Sequence, residues 1–272
     1  MTRTIDDSAL DCIRFYMGDP EIIRRSEFRG GPNAHNTINA LLNHGIQNEL
    51  DKLHEGRTIE IYDRAHLVQY LNIIAAIDRA MRCTDSPSVQ AVTWRVDRYS
   101  AVYTLAEQGE TEGFYSTCKR GFLPEYAHTK ADVALIEIVR APEVPCLDFE
   151  LLFGSDYAKP EEAEILLPFG AVVQKTEDLP LSPAELEQFT DLHGQPPKGK
   201  YRLHLGSPPC ETVCASPDTL WRKITSEDTV QQVRHCLALL RDTGTLPSEE
   251  LAYYCSWKDN IRRYFRQIRQ KD

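Results

Sequence analysis

Three short stretches of this 272-residue chain carry side chains whose types and spacing suit chemistry. Glu162 and Glu164 flank Ala163 just before the apolar run Ile165-Leu166-Leu167-Pro168. In an extended strand successive side chains alternate, so the spacing predicts both carboxylates on one face. Like charges side by side repel, and no packing demand calls for them. Such a pair suits a reaction that builds positive charge at one atom and removes a proton from another. Upstream, Arg95 stands inside the alternating segment Thr93-Trp94-Arg95-Val96, and a guanidinium fork matches phosphate oxygens. Between them, Phe114-Tyr115-Ser116-Thr117-Cys118 offers two hydroxyls after two aromatics. Each stretch alone has a plain reading: a salt-bridged strand arginine, an ordinary strand end, a solvated acidic turn after Pro160.

The elements that must position these groups follow from periodicity. Leu10, Ile13 and Met17, then Ile38, Leu41, Leu42, Ile46 and Leu53, then Leu67, Tyr70, Leu71, Ile74, Ile77 and Met81 recur at helical spacing. The pattern changes near residue 88. Val89 to Val96 alternates, and strands are predicted at 134–139, 146–153, 165–174 and 201–205. Helices return after residue 217. Thr225 to Asp228 resembles a capping box, and Gly244 marks a stop. The last helix carries Tyr254, Trp257, Ile261, Tyr264, Phe265 and Ile268 on one face. Lys258, Arg262, Arg263, Arg266, Arg269 and Lys271 form the other, expected to be solvated or to dock a partner. The fold class is therefore α+β. A domain over 1–217 is expected, with a helical opening at 1–85 and a β core at 88–205, followed by a helical extension over 218–272.

Bulk properties narrow the function. The formal charge of −10 argues against a nucleic-acid grip, because phosphates reward a basic surface. No apolar run approaches the roughly 18 residues that span a bilayer. The N-terminus lacks the apolar core of a signal peptide, so a cytoplasmic protein is expected, or one delivered by a route needing no cleaved signal. Eight cysteines are scattered. Cys210 and Cys214, without a second ligand pair, are a weak zinc signal, and no metal is expected.

Taken in order, the arginine strand, the aromatic-Ser-Thr strand and the Glu-x-Glu-apolar-Pro strand resemble the arginine–serine–glutamate class of mono-ADP-ribosyltransferases. The resemblance covers roughly residues 8 to 180. It implies a split two-sheet β core behind a helical segment, with NAD as substrate, no metal, and a monomer acting on a target protein. It further implies that Arg95 meets the NAD phosphates and that Ser116 braces the nicotinamide ribose, with Arg98 as the fallback if the register differs. Thr117 would hold the strand edge, with Trp94 and Phe122 beside the dinucleotide and Tyr126 an alternative aromatic. Glu164 would hydrogen-bond the ribose 2′-hydroxyl and stabilise the cation as nicotinamide leaves. Glu162 would take the acceptor's proton, and Tyr157, in the segment 154–160, would contact the target protein.

The chain departs from the family where Cys118 stands in place of a usual serine. Glu-x-Glu favours arginine as acceptor, since a guanidinium is a poor nucleophile until deprotonated. Threonine or another acceptor, an NAD glycohydrolase using water, and a catalytically silent binding module are the competing readings. A toxin or delivered effector is the expected setting.

Overall fold

The computed structural model describes residues 5–43, 45–54, 56–57, 59, 61–83, 92–127, 132–154, 157, 162–207 and 216–271. Five helices open the chain: α1 (Asp7–Tyr16), α2 (Pro20–Ile23), α3 (Ala34–Leu42), α4 (Ile46–His54) and α5 (Arg64–Cys83). The middle runs β1 (Val92–Arg98), α6 (Tyr99–Gln108), β2 (Tyr115–Cys118), a 3-10 turn over Pro124–Ala127, β3 (Val133–Arg140), β4 (Leu147–Asp148), α7 (Phe149–Phe153), β5 (Glu164–Leu167), β6 (Val172–Leu179), α8 (Pro183–His193) and β7 (Gly199–Gly206). Three helices close it: α9 (Pro217–Thr225), α10 (Glu227–Thr243) and α11 (Ser248–Lys271). Two compact units result. One lies within residues 81–209, and the other joins 5–80 to 210–272.

In the helical unit the opening and closing helices share one core. This differs from the expected division at 217, and the reason is chemical. Lys258 and Glu49 form an ion pair with both side chains at most 3% exposed, and the same ammonium donates to the Ala40 carbonyl. Arg262 donates to the Leu42 carbonyl at 2.6 Å, and Arg269 grips Asp78 at 2.6 and 2.9 Å. The cationic face of α11, expected in solvent, is thus half consumed inside the unit. A helical projection shows where charges lie, not which carboxylates and helix-end carbonyls meet them. The aromatic face packs as expected, with Trp257 Nε1 donating to Ile224 O at 3.2 Å. Ser226 caps α10 through Thr229 N, and left-handed Gly244 ends it.

In the β unit the described strands form one mixed sheet in the order β4-β5-β2-β1-β3-β7-β6. Only β3 and β7 pair in parallel. Val133 to Ile138 of β3 are buried throughout, as a central strand covered on both faces requires. The sheet has a thin seam. A single register pair, Trp94 with Cys118, joins β1 to β2, whereas β1 and β3 share seven. A three-stranded part (β4-β5-β2) and a four-stranded part (β1-β3-β7-β6) meet there, the form the split core takes.

Two strand expectations change. The run 146–153 is strand only at Leu147–Asp148; Asp148 then caps α7 by accepting from Leu151 N at 3.1 Å. A short apolar run does not distinguish the two states, and the cap decides. The run 165–174 is two strands on different sides of the sheet. Thr111 anchors the break between them: its hydroxyl donates to Pro168 O, its carbonyl accepts from Gly170 N, and Gly170 has φ 73°. Helices α6 and α8 carry no counterpart among the sequence expectations.

Among the described residues, no group of His, Cys, Asp and Glu is placed to hold a metal ion. Among the described residues, no helix is long and apolar enough to cross a membrane. Cys210 and Cys214 lie outside the described residues.

Candidate active site

The site is built on three adjacent strands. Cys118 of β2 pairs with Glu164 of β5 and with Trp94 of β1. Residues in register across strands share a face, so Trp94, Cys118 and Glu164 line one row. Ser116 and Leu166 form the next pair on that face. Trp94, Ser116 and Glu164 are half-buried. The structure therefore brings together three of the residues read from the sequence, the aromatic, the serine and the second glutamate.

Arg95 is placed differently from the expectation. One position after Trp94, it starts on the opposite face, with Tyr115, Thr117 and Ile165. Its guanidinium carbon lies 4.3 Å from the centre of the Tyr115 ring. Nη1 donates to the Ser116 carbonyl at 2.7 Å, and Nε donates to Asp97 Oδ2 at 2.6 Å. Arg95 thus bridges the seam, with these two donors committed to the sheet. Burial, with Asp97 nearby, pushes the Tyr115 phenol far above its ordinary value, and Arg95 opposes the shift. The fallback, Arg98, shares the parity of Trp94 and Val96 and so starts on the Glu164 face. Its backbone N–H donates to Asp97 Oδ1 at 2.8 Å.

Thr117 is buried, and its hydroxyl donates to Ile165 O at 2.9 Å, fastening β2 to β5. This side chain serves the strand contact on the face opposite Glu164. Phe122 packs against the cluster of Val96, Ala127, Val133, Leu135 and Phe189, with the Lys200 ammonium 5.5 Å from its ring centre. This is a packing position beside the row, on the same side of the sheet as Val96.

The glutamate pair does not lie in one strand. Glu164 is the first residue of β5, and Glu162 lies in the turn before it. Between them Ala163 is fully buried with φ 41°, the one described non-glycine residue in the left-handed region. That conformation costs an alanine about 1–2 kcal/mol, so surrounding contacts must hold it. Lys119 N–H donates to Ala163 O at 3.1 Å. The Lys119 ammonium pairs with Asp148 at 2.8 Å and Glu150 at 2.7 Å, at the start of α7. The left-handed residue ends the strand alternation at Glu164, so Glu162 stands in the turn outside it.

Glu162 instead meets Tyr126. Burial, a hydrogen bond to the Glu162 carboxylate and the nearby charges of Glu162, Glu164 and Glu125 push the Tyr126 phenol far above its ordinary value. The phenol stays protonated and donates. Tyr126 is 41% exposed, so it marks the open edge of the site.

Tyr157 lies inside the fold. Expected on the surface as a contact to a target protein, it is 5% exposed, its ring 6.3 Å from that of Phe149. Its hydroxyl accepts from the Glu164 backbone N–H at 3.4 Å. The rest of the expected recognition segment, residues 155–156 and 158–160, lies outside the described residues. Sequence reasoning missed Lys119 and the inward role of Tyr157. The aromatic residues Phe149, Phe153 and Tyr157 were the only sequence hint, and helical spacing does not account for the contact, because α7 ends at Phe153.

No protein-family model matches the chain, and no curated protein sequence matches it. Solved structures do align. The ADP-ribosylating toxin BECa of a binary enterotoxin of C. perfringens, solved with NADH, aligns at 14% identity and a TM-score of 0.44, over 75% of this chain and 45% of its own. The ADP-ribosyltransferase Vis of Vibrio splendidus, in complex with agmatine, aligns at 13% identity and a TM-score of 0.41, over 78% of this chain and 79% of its own. The Salmonella SpvB ATR domain aligns at 12% identity and a TM-score of 0.41, over 74% of this chain and 100% of its own. These neighbours are ADP-ribosylating proteins. The chain spans less than half the length of the BECa chain.

Proposed function

We propose that the chain transfers ADP-ribose from NAD to a protein side chain, arginine foremost, and releases nicotinamide. The observation that carries the reading is the row Glu164, Cys118 and Trp94, flanked by Ser116 on the same face. It sets one carboxylate, one hydroxyl and one large aromatic on one half-buried stretch of a single sheet face. An aromatic face suits a nicotinamide ring, a carboxylate and a hydroxyl suit the ribose hydroxyls, and Arg98 on that face suits a phosphate.

The chemistry follows from charge. The bond between ribose C1′ and the nicotinamide nitrogen breaks, and the bonding pair leaves with nicotinamide, which departs neutral. No acid is needed. Positive charge grows on the sugar, and a fixed carboxylate close by lowers the barrier; Glu164 holds that place. The acceptor nitrogen forms the new bond to C1′ and must lose a proton. Glu162, in the turn before β5 and hydrogen-bonded to Tyr126, is the group that takes it.

The test is incubation with labelled NAD and a cell lysate. The native chain labels protein, and Glu164→Ala abolishes the label. Labelling that survives Glu164→Ala rules the reading out. Water as acceptor is the second reading, favoured by the open Tyr126 edge; nicotinamide release that no protein acceptor accelerates would select it.

A further inference from the structure

The peptide unit joining Ala163 to Glu164 is held at both ends. Its carbonyl accepts from Lys119 N–H, which extends the β2 ladder one residue past Cys118. A trans peptide points its N–H opposite to its carbonyl, so Glu164 N–H faces away from β2, toward the β4 side. There β4 has run out. Its ladder with β5 pairs Asp148 with Ile165 and Leu147 with Leu166, and from Phe149 the chain turns away as α7. No β4 carbonyl follows to meet Glu164 N–H, and the Tyr157 hydroxyl takes it, 3.4 Å away. The ring that brings the hydroxyl there is buried beside Phe149, the first residue of α7.

Resting on the proposed transferase reading, we propose that Tyr157 is a positioning residue for Glu164, completing the ladder that β4 leaves short and fixing the plane from which the carboxylate projects. Lys119 supplies the opposite hold. It grips Asp148, the cap of α7, and Glu150 within α7, so both holds trace back to the same short helix. The conformation they preserve is one that alanine does not adopt unaided, φ 41°. A Glu164 whose preceding peptide rotates would swing its carboxylate off the row shared with Cys118 and Trp94. In this role Tyr157 acts before the acceptor is chosen. A contact to a target protein would act only after.

That difference makes the test. Tyr157→Phe keeps the buried ring and removes the acceptor oxygen. The proposal predicts that nicotinamide release without any acceptor and transfer to protein fall together, about tenfold each in kcat, with KM for NAD and for the acceptor nearly unchanged. It also predicts that the Glu164 amide exchanges its proton with solvent about tenfold faster in Tyr157→Phe, with unchanged exchange in β3. Loss of transfer alone with a raised KM for the acceptor overturns the proposal in favour of a target contact. Unchanged kinetics and unchanged exchange overturn it as well. Amide exchange does not require activity. A wild-type chain that releases no nicotinamide would therefore refute the transferase reading, while the exchange measurement still decides whether Tyr157 holds Glu164.

Discussion

Arg95 Nη1 donates to the backbone carbonyl of Ser116 at 2.7 Å, across the one place where β1 and β2 are joined by a single register pair. The bond reaches β2 at Ser116 itself, the residue proposed to brace the ribose. It makes Arg95 a fastener of the seam, and the phosphate role proposed above falls to Arg98. We therefore expect the two arginines to separate in experiment. Arg95→Met lowers stability by about 2 kcal/mol, the scale of a hydrogen bond to a charged group, seen as a shift of the urea midpoint. Arg98→Ala leaves the midpoint within about 0.5 kcal/mol and raises KM for NAD about tenfold. The reverse pattern would return the phosphate role to Arg95.

Ala163 offers a test of backbone strain. Replacing an unstrained buried alanine by glycine removes a methyl worth about 0.8 kcal/mol and adds about 0.5–1 kcal/mol of chain entropy cost. At φ 41°, relief of about 1–2 kcal/mol offsets both. Ala163→Gly is expected to be nearly neutral by denaturant titration, and Ala163→Val, β-branched in a fully buried site, to cost at least about 3 kcal/mol. A loss near 1.5 kcal/mol for Ala163→Gly would show that the site is not strained in solution.

The buried Lys258–Glu49 pair makes α11 part of the helical unit. Lys258→Met alone leaves Glu49 buried and uncompensated, with an expected loss of about 3–5 kcal/mol. Adding Glu49→Leu should recover most of it. Thermal melts of the two single variants and the double variant measure the coupling; additive losses would contradict the pairing.

Acid response is expected at the β6–β7 edge. Lys175, then His204 at 3.0 Å, hydrogen-bond the Glu177 carboxylate and hold it down at about 2 from an ordinary 4.5. A lowered carboxylate stabilises the fold above its unfolded value. That contribution is whole above about pH 4.5 and lost as pH falls toward 2. Comparing wild type with Glu177→Gln by acid titration should show a stability difference that shrinks across this window. A difference that grows there would contradict the assignment.

Much of the architecture was legible in the chain. The 3.6-residue pattern gave the opening and closing helices, and β3 was legible as a branched apolar run. The row of Trp94, Ser116 and Glu164 was legible as three motifs in order. What was not legible depended on partners distant in sequence or on single backbone angles. The cations of α11 met Glu49, Asp78 and helix-end carbonyls that no projection of α11 contains. The strand read at 146–153 yielded to the Asp148 cap. Strand alternation does not run back through Glu162-Ala163-Glu164, because one left-handed residue, held by Lys119, interrupts it. The same parity rule, applied across the seam, moved Arg95 off the Glu164 face.

The most direct measurement of the central claim is nicotinamide release from NAD without acceptor, comparing wild type, Glu164→Gln and Glu162→Gln. If Glu164 stabilises the departing cation, Glu164→Gln slows release by about 100-fold or more, while Glu162→Gln slows it less than threefold and blocks transfer to protein. Equal loss in both variants, or undiminished release by Glu164→Gln, would show that Glu164 does not stabilise the departing cation.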